Sequence, residues 1–275
     1  PFLFHLTINR LNSGMRVDPV RIFDDADYGH VRGLCDSTRG WIEVYKKKST
    51  EIYSQNLGGS TLQMFKARVK IPDVSAATMY DVLHDEEYRR TWDKHMTQSK
   101  DIAMLNPNND VCYYALKGMP PIYPRDFVLH RSWLDTPEEK LICSRSVCHQ
   151  DFPPQKGHVR GIVLVSGYLV RPLPGGGCEV IYVTHSDPGG KLPTWFVNRA
   201  SRMVAPKVLD KLHKAALKYG PWKQSHRPHH KPWLFPEQME LPRLDIRKCE
   251  PREYDALIVD ESGVAEEAAE EDDSD

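Results

Sequence analysis

The chain has no apolar run near the roughly 20 residues needed to cross a bilayer, so its sequence predicts no transmembrane helix. Its start is apolar but lacks the basic segment and cleavage site of a secretory signal, and we interpret residues 1–23 as a mobile lead-in or vector-derived remnant outside the fold. The cysteines form no C-x-x-C pair and lie mostly in apparent strands. They therefore indicate buried thiols of a reducing, cytoplasmic protein rather than a disulfide framework.

Signatures of catalysis and of bound cofactors are equally scarce. No G-x-S-x-G or comparable nucleophile motif is present. The glycines at 175–177 precede an apparent strand and lack the Lys-Ser/Thr pair of a phosphate-binding loop, which indicates a turn. His226, His229 and His230 have no cysteine or acidic partner at a familiar metal-site spacing. The sequence therefore predicts a protein that is not an enzyme and holds no cofactor or metal.

Charge is divided unevenly along the chain, although the formal net charge is only -1. The segment from Asp260 to Asp275 contains nine acidic and no basic residues, so all 37 Lys and Arg and 29 of the 38 acidic residues precede it. The body therefore carries about +8 and the tail about -9. Such asymmetry indicates an anionic partner, either a membrane surface, a nucleic acid or the tail itself. We disfavour nucleic acid because the strands show no face of basic residues interleaved with stacking aromatics.

Periodicity predicts strands over most of the chain. Residues 65–71 alternate apolar and polar, as is typical of a half-buried antiparallel strand, and strands recur from about 101 to 187. Residues 72–93 have helical spacing, and residues 192–220 form one long amphipathic helix that Gly220 and Pro221 are expected to end. Sequential hairpins followed by a helix predict an α+β fold, with a curved antiparallel sheet around the C-terminal helix and a hollow between them.

Five segments then carry a family resemblance: YDVLHDEEYRRTWD, PRDFVLHRSW, HVRGIVLVSGYLV, DPGGKLPTWFVNRASRMVAPKVLDKL and YGPWKQSHRPHHKPW. In this order they resemble the StAR-related lipid transfer (START) domain, within its phosphatidylcholine-transfer-protein-like branch. The resemblance implies a helix-grip fold that encloses one lipid in an internal tunnel, gated by the C-terminal helix and a nearby loop. It covers residues 24–236, and we expect residues 237–275 to be a disordered acidic tail.

The resemblance also implies which residues contact the lipid head group. An Arg and an Asp four residues apart do so in phosphatidylcholine-binding relatives, and Arg89 and Asp93 fall on that motif. The positions that surround choline correspond to Tyr114, Phe127 and Tyr168, with Leu116 at an adjacent apolar position.

The chemistry of these residues allows two interpretations. A guanidinium offers a planar fork to phosphate oxygens, and inside an apolar tunnel it requires a partner such as Asp93. The alternative is a solvated surface pair worth under about 1 kcal/mol. Similarly, each aromatic ring either packs in the core or attracts a quaternary ammonium by roughly 0.5 to 2 kcal/mol.

The loop GMPPIYP, between two predicted strands, is either a partly buried connection or a gate that dips into the bilayer interface. As a gate it would act with the apolar start of the last helix, while basic residues nearby meet anionic lipid head groups. The gate residues would be Met119, Ile122, Tyr123, Trp195 and Phe196. In the acidic tail, Ser274 suits an acid-directed kinase. The tail either folds back over the basic gate and weakens membrane docking or only adds solubility.

From these features we expect a monomeric, intracellular carrier that encloses one glycerophospholipid. Phosphatidylcholine is the first choice and phosphatidylethanolamine the second, and membrane surfaces are transient partners. The alternatives are a lipid sensor that acts through a protein partner and a hydrolase of a lipid ester or thioester.

Overall fold

A computed structural model gives the structure of residues 17–57, 63–119, 122–190, 192–199, 204–251 and 261. The helices are α1 (Asp25–Asp36), α2 (Ala76–His84), α3 (Glu86–Trp92), α4 (Thr194–Arg199) and α5 (Ala205–Ser225). The strands are β1 (Ile42–Lys47), β2 (Thr50–Asn56), β3 (Gln63–Ile71), β4 (Met96–Asn106), β5 (Asn109–Leu116), β6 (Arg125–Asp135), β7 (Lys140–Ser146), β8 (Val159–Arg160), β9 (Ile162–Pro172) and β10 (Cys178–Asp187).

Within the described ranges these strands form one sheet in the order β1-β2-β3-β10-β9-β7-β6-β5-β4, and the short β8 pairs in parallel with β6. The other pairings are antiparallel, as the run of hairpins predicts. The apolar positions predicted for β3 are confirmed, because Phe65, Ala67, Val69 and Ile71 are all buried in one core cluster with α2 and α5. The strand is not half-buried as predicted, since Lys66 on its other face is also buried. The architecture is the predicted helix-grip fold.

Helix α1 covers the opposite face of the sheet, and the sequence interpretation missed it. Tyr28, Val31 and Cys35 recur at helical spacing and pack on β7, β9 and β10. The pattern is weak because two glycines and five charged or histidine residues dilute it. A capping box was the available signal, since the Asp24 and Asp27 side chains each accept a hydrogen bond from the other's backbone N–H.

The structure describes two parts of the helix predicted over residues 192–220, α4 and α5, and residues 200–203 between them lie outside the described ranges. Pro206 lies in the first turn of α5, where a missing N–H costs little. Helix α5 then continues through Pro221 to Ser225, although an interior proline costs roughly 3 kcal/mol. Its final turns are held by tertiary contacts, because the Lys223 Nζ lies 2.8 Å from the Asp85 carboxylate. The predicted end at Gly220 is therefore wrong.

The chain is ordered beyond both predicted boundaries of the domain. Val17 and Phe23 are buried, and the Phe23 backbone N–H donates to Asn109 Oδ1 at 3.3 Å, so part of the expected lead-in belongs to the fold. Residues 242–244 pair with the edge strand β4, through the bonds Met104 N–H to Pro242 O and Leu244 N–H to Met104 O. This pairing satisfies edge groups that would otherwise face solvent, which is why residues 237–251 are not a disordered tail.

The glycine turn, the buried cysteines and the lack of a transmembrane helix were also predicted from the sequence. The glycines at 175–177 have φ between 79° and 106° and form the turn between β9 and β10, as predicted. The six cysteines are buried thiols: Cys35, Cys112, Cys143, Cys148, Cys178 and Cys249. In the described part of the chain, no helix combines the length and the apolar character needed to cross a membrane.

Candidate lipid head-group site

Helix α3 places Arg89 on the inner side of the sheet. Asp85 starts the helix, because its carboxylate accepts the Tyr88 backbone N–H at 3.0 Å. The same carboxylate accepts the Tyr219 hydroxyl at 3.0 Å and the Lys223 ammonium at 2.8 Å, both from α5. Since one carboxylate ties the start of α3 to the end of α5, the direction in which Arg89 projects is set by α5.

Two adjacent arginines of α3 differ strongly in exposure, because one faces solvent and the other faces the interior. The Arg90 side chain is 61% exposed and pairs with Glu86 on the helix surface. The Arg89 side chain is 8% exposed, and that of its partner Asp93 is 2% exposed. Arg89 Nε donates to Asp93 Oδ2 at 3.1 Å, one helical turn away. Arg89 and Asp93 therefore form a buried pair, and the alternative of a solvated surface pair is wrong.

Tyr114 of β5 joins this pair directly. Arg89 Nη2 donates to the Tyr114 hydroxyl at 3.2 Å, and the guanidinium carbon lies 5.0 Å from the ring centroid of Tyr114. The ring therefore supplies both a hydrogen-bond acceptor and an electron-rich face to the cation. Its own exposure is near zero, so this contact lies inside the protein.

The electrostatics favour the charged forms of both partners. Burial acts to lower the pKa of Arg89, but Tyr114 and Asp93 outweigh it and the pKa of the guanidinium rises above its ordinary value. Burial acts to raise the pKa of Asp93, and the charge of Arg89 outweighs it, so that the pKa of the carboxyl falls. A buried arginine that stays charged is a fixed positive centre in an otherwise apolar interior.

Tyr168 of β9 approaches the same centre from the other side of a small cavity. The cavity has a volume of about 20 Å³, and Arg89, Tyr168, Arg131 and Ile142 are among its lining residues. Because such a volume accommodates roughly one water molecule, a head group can enter this cavity only if the side chains around it move apart. The ring of Tyr168 packs at a tilt of 30° against that of Tyr182, with ring centroids 4.4 Å apart.

Phe127 and Leu116 reach the site through Tyr114. Tyr114 and Phe127 are directly opposite each other on β5 and β6, and both pack with Leu116 in one cluster. Gly161 fixes the position of the Phe127 ring, because a Cβ at residue 161 would lie 2.2 Å from Phe127 Cε1. Sequence reasoning overlooked Gly161, and a glycine inside the strand segment HVRGIVLV is the signal that could have found it.

A second, partly buried arginine near the site was also missed. Arg131 of β6 donates to the Asp110 carboxylate through Nε at 2.8 Å and Nη2 at 2.6 Å, and Nη2 also reaches Asp101 at 2.6 Å. Arg131 and Asp110 are directly opposite each other on β6 and β5. A charge inside the apolar strand segment FVLHRSWL, with an acid in register on the next strand, was the signal available in the sequence.

The expected gate residues come together at another part of the same core. Ile122 and Phe196 are buried in the cluster that contains α5, and Met119 and Trp195 pack against it. Tyr123 differs from these four, since it is 53% exposed. Ser274, the expected phosphorylation site, lies outside the described residues.

A sheet that grips a C-terminal helix, with a charged pair buried on its inner side, defines a helix-grip protein with a polar centre in its interior. The family model of the START domain matches residues 21–223, so the chain belongs to the START domain family of lipid-binding proteins.

The relatives agree with this assignment. The mouse and human START domain-containing proteins 10 are both 40% identical to this chain over 251 residues. The match covers 90% of this chain and 86% of each relative. The crystal structure of human STARD10 superposes with a TM-score of 0.80 at 39% identity, covering 86% of this chain and 96% of that chain. Human StAR-related lipid transfer protein 5 shares the fold, with a TM-score of 0.64 at 20% identity over 71% of this chain and 95% of that chain.

Proposed function

We propose that this START protein encloses one glycerophospholipid and moves it between membranes, with phosphatidylcholine preferred and phosphatidylethanolamine accepted. The observation that carries the proposal is the buried Arg89–Asp93 pair, at 3.1 Å, with the Tyr114 hydroxyl on the same guanidinium. Removing both charges of this pair from water costs desolvation free energy that an apolar pair of similar volume does not, which fits a pair that is retained for ligand binding. A phosphodiester matches a guanidinium in both charge and geometry.

The residues around Arg89 suit the other half of a zwitterionic head group. Tyr114 and Phe127 present aromatic rings on the adjacent strands β5 and β6, and Tyr168 presents one on β9. Each ring facing a quaternary ammonium adds roughly 0.5 to 2 kcal/mol. Leu116 adds apolar surface beside Tyr114. In this proposal Arg89 anchors the phosphate and the rings select the ammonium. A primary ammonium is smaller and makes a weaker contact, which is why phosphatidylethanolamine is the second choice.

Transfer requires an enclosed lipid and an exit. Each methylene removed from water contributes about 0.8 kcal/mol, so two acyl chains can cross water only inside the protein. The elements proposed to part at a membrane are the loop that contains Met119, Ile122 and Tyr123 and the helix start with Trp195 and Phe196. The exposed ring of Tyr123 is suited to first contact with the interface.

Two measurements test the proposal. Native mass spectrometry of the protein purified from cells, followed by lipid extraction, should find one phospholipid per chain. Fluorescent phosphatidylcholine should then move between vesicles faster with the protein than without it. A protein that carries no phospholipid contradicts the proposal. Slow exchange together with a lipid-dependent protein partner would favour the sensor, and ester turnover by the pure protein would favour the hydrolase.

A further inference from the structure

A carboxylate from the C-terminal part of the chain is buried beside the expected gate. The side chains of Glu261 and Arg125 are 3% and 5% exposed, respectively. Glu261 Oε2 accepts a hydrogen bond from Arg125 Nη2 at 2.5 Å, and Oε1 accepts one from Nη1 at 3.3 Å. The carboxylate therefore contacts two nitrogens of the guanidinium. Oε1 also accepts the backbone N–H of Tyr123 at 2.7 Å. Both oxygens of the carboxylate are thus engaged.

The groups that receive this carboxylate are held in place by the domain itself. Arg125 Nη1 donates to the Tyr123 carbonyl at 2.6 Å, Nε donates to the Pro188 carbonyl at 3.3 Å, and Nη2 lies 3.4 Å from the Gly189 carbonyl. Three backbone carbonyls therefore orient the guanidinium independently of Glu261. A guanidinium oriented in advance, next to a backbone N–H, is a receptor for an anion with two oxygens.

The receptor also joins two connections of the domain that are distant in the sequence. Tyr123 belongs to the connection between β5 and β6, and Pro188 and Gly189 follow β10 on the way to α4. Ile122, next to Tyr123, packs in the same core cluster as Phe196 of α4. Glu261 therefore contacts the loop that we propose to open at a membrane directly, and it is linked through Arg125 to the connection that leads to α4.

We propose that Arg125 and the Tyr123 N–H form an anion-binding site whose ligand is Glu261, so that this single carboxylate latches the entrance of the domain. The segment from Asp260 to Asp275 holds nine acids and no basic residue, and the preceding chain is basic, so long-range attraction favours the docked state. Loss of the carboxylate from this site frees the Tyr123 N–H and unties the connection before β6 from the C-terminal segment. The effect on transfer rests on the proposed function, whereas the latch itself does not.

The test uses the whole 275-residue chain with Glu261→Ala and Glu261→Gln, and Glu250→Gln as the control. Glu250 is an exposed acid eleven residues earlier, so its substitution changes the net charge without touching the site. Because Arg125 keeps its three carbonyl partners, the Glu261 variants should fold, and circular dichroism checks this. The hydrogen-exchange rate of the Tyr123 amide measures whether the latch is closed. The rate at which fluorescent phosphatidylcholine moves between vesicles measures the effect of the latch on transfer.

We expect Glu261→Ala to speed exchange of the Tyr123 amide about tenfold, since the amide loses a charged acceptor, while Glu250→Gln leaves it unchanged. Both Glu261 variants should also transfer lipid several times faster than the Glu250 variant. Unchanged exchange at Tyr123 would overturn the latch. Faster exchange with an unchanged transfer rate would overturn its action on the entrance. If even the wild-type chain moves no phospholipid, the proposed function fails, and amide exchange still decides the latch.

Discussion

Replacing Arg89 by methionine tests its contribution to folding stability and its proposed role as the phosphate anchor. The substitution removes the cation from a pair whose side chains are 8% and 2% exposed and leaves the Asp93 carboxylate buried without its partner. Breaking a buried pair in this way costs about 3–5 kcal/mol of folding free energy. For a domain of this size that cost corresponds to a fall in melting temperature of about 10 °C. Arg90→Met, at the exposed neighbouring position, should cost under about 1 kcal/mol.

A double variant, Arg89→Met with Asp93→Leu, should recover most of the lost stability, because an apolar pair of similar volume replaces both charges. It should not recover phospholipid binding. Loss of a buried charged contact to phosphate weakens affinity by roughly 2–5 kcal/mol, which is about 30-fold or more. Thermal unfolding measures the first effect, and uptake of fluorescent phosphatidylcholine from vesicles measures the second.

Two results would refute this reasoning. If Arg89→Met is no less stable than Arg90→Met, the guanidinium is not the buried partner of Asp93. If the folded double variant takes up phosphatidylcholine as well as the wild-type chain, Arg89 is not the phosphate anchor, even though the fold stands.

Three further predictions concern other parts of the site and fold. Gly161→Ala should weaken uptake of choline lipids about tenfold, because the new Cβ lies 2.2 Å from an atom of the Phe127 ring and displaces it. Asp85→Ala should cost about 3–5 kcal/mol in urea unfolding, because it leaves the Lys223 ammonium buried and uncaps α3. Burial lowers the pKa of His130 to about 3, whereas the unfolded chain takes up this proton near pH 6.5, so stability should fall as pH drops from 6.5 toward 3, by at most about 1.4 kcal/mol per unit.

Each of these has a matched control. Gly29→Ala adds a methyl group in open space on α1 and should leave lipid uptake unchanged, so equal losses in both glycine variants would contradict the role of Gly161. Glu87→Ala breaks an exposed pair and should cost under about 1 kcal/mol, and an equal effect of Asp85→Ala would contradict the tie between α3 and α5. His130→Gln should flatten the acid limb of the stability curve, and an unchanged limb would exclude this histidine as its source.

Local patterns predicted much of the fold because each strand carries its own period. The alternation in β3 and the glycine turn before β10 need no knowledge of the rest of the chain. Helix α1 and the end of α5 were missed for the opposite reason. Glycines weaken the pattern of α1, and contacts from Asp85 to α5 hold a helix past Pro221 that local propensity would end.

The site shows the same division. The spacing of Arg89 and Asp93 predicted that the two side chains meet, since residues four apart on a helix are neighbours. Whether they meet in water or in the interior depends on how α3 lies against α5 and the sheet, which no local pattern records. The family resemblance suggested that the pair lies in the interior. In the structure α3 packs against α5 there, with the ring centroids of Tyr88 and Tyr219 5.0 Å apart.

By itself the sequence determined the order of the strands and of the helices after α1, the basic body with its acidic end, and the residue types available to hold a phospholipid. Only the tertiary structure decided that Arg89 is buried while Arg90 is exposed, that Gly161 positions Phe127, and that Glu261 meets Arg125 across 136 residues of chain. The physical reason is that hydrophobic periodicity is a property of neighbouring residues. Burial of a charge depends instead on which distant segments close around it.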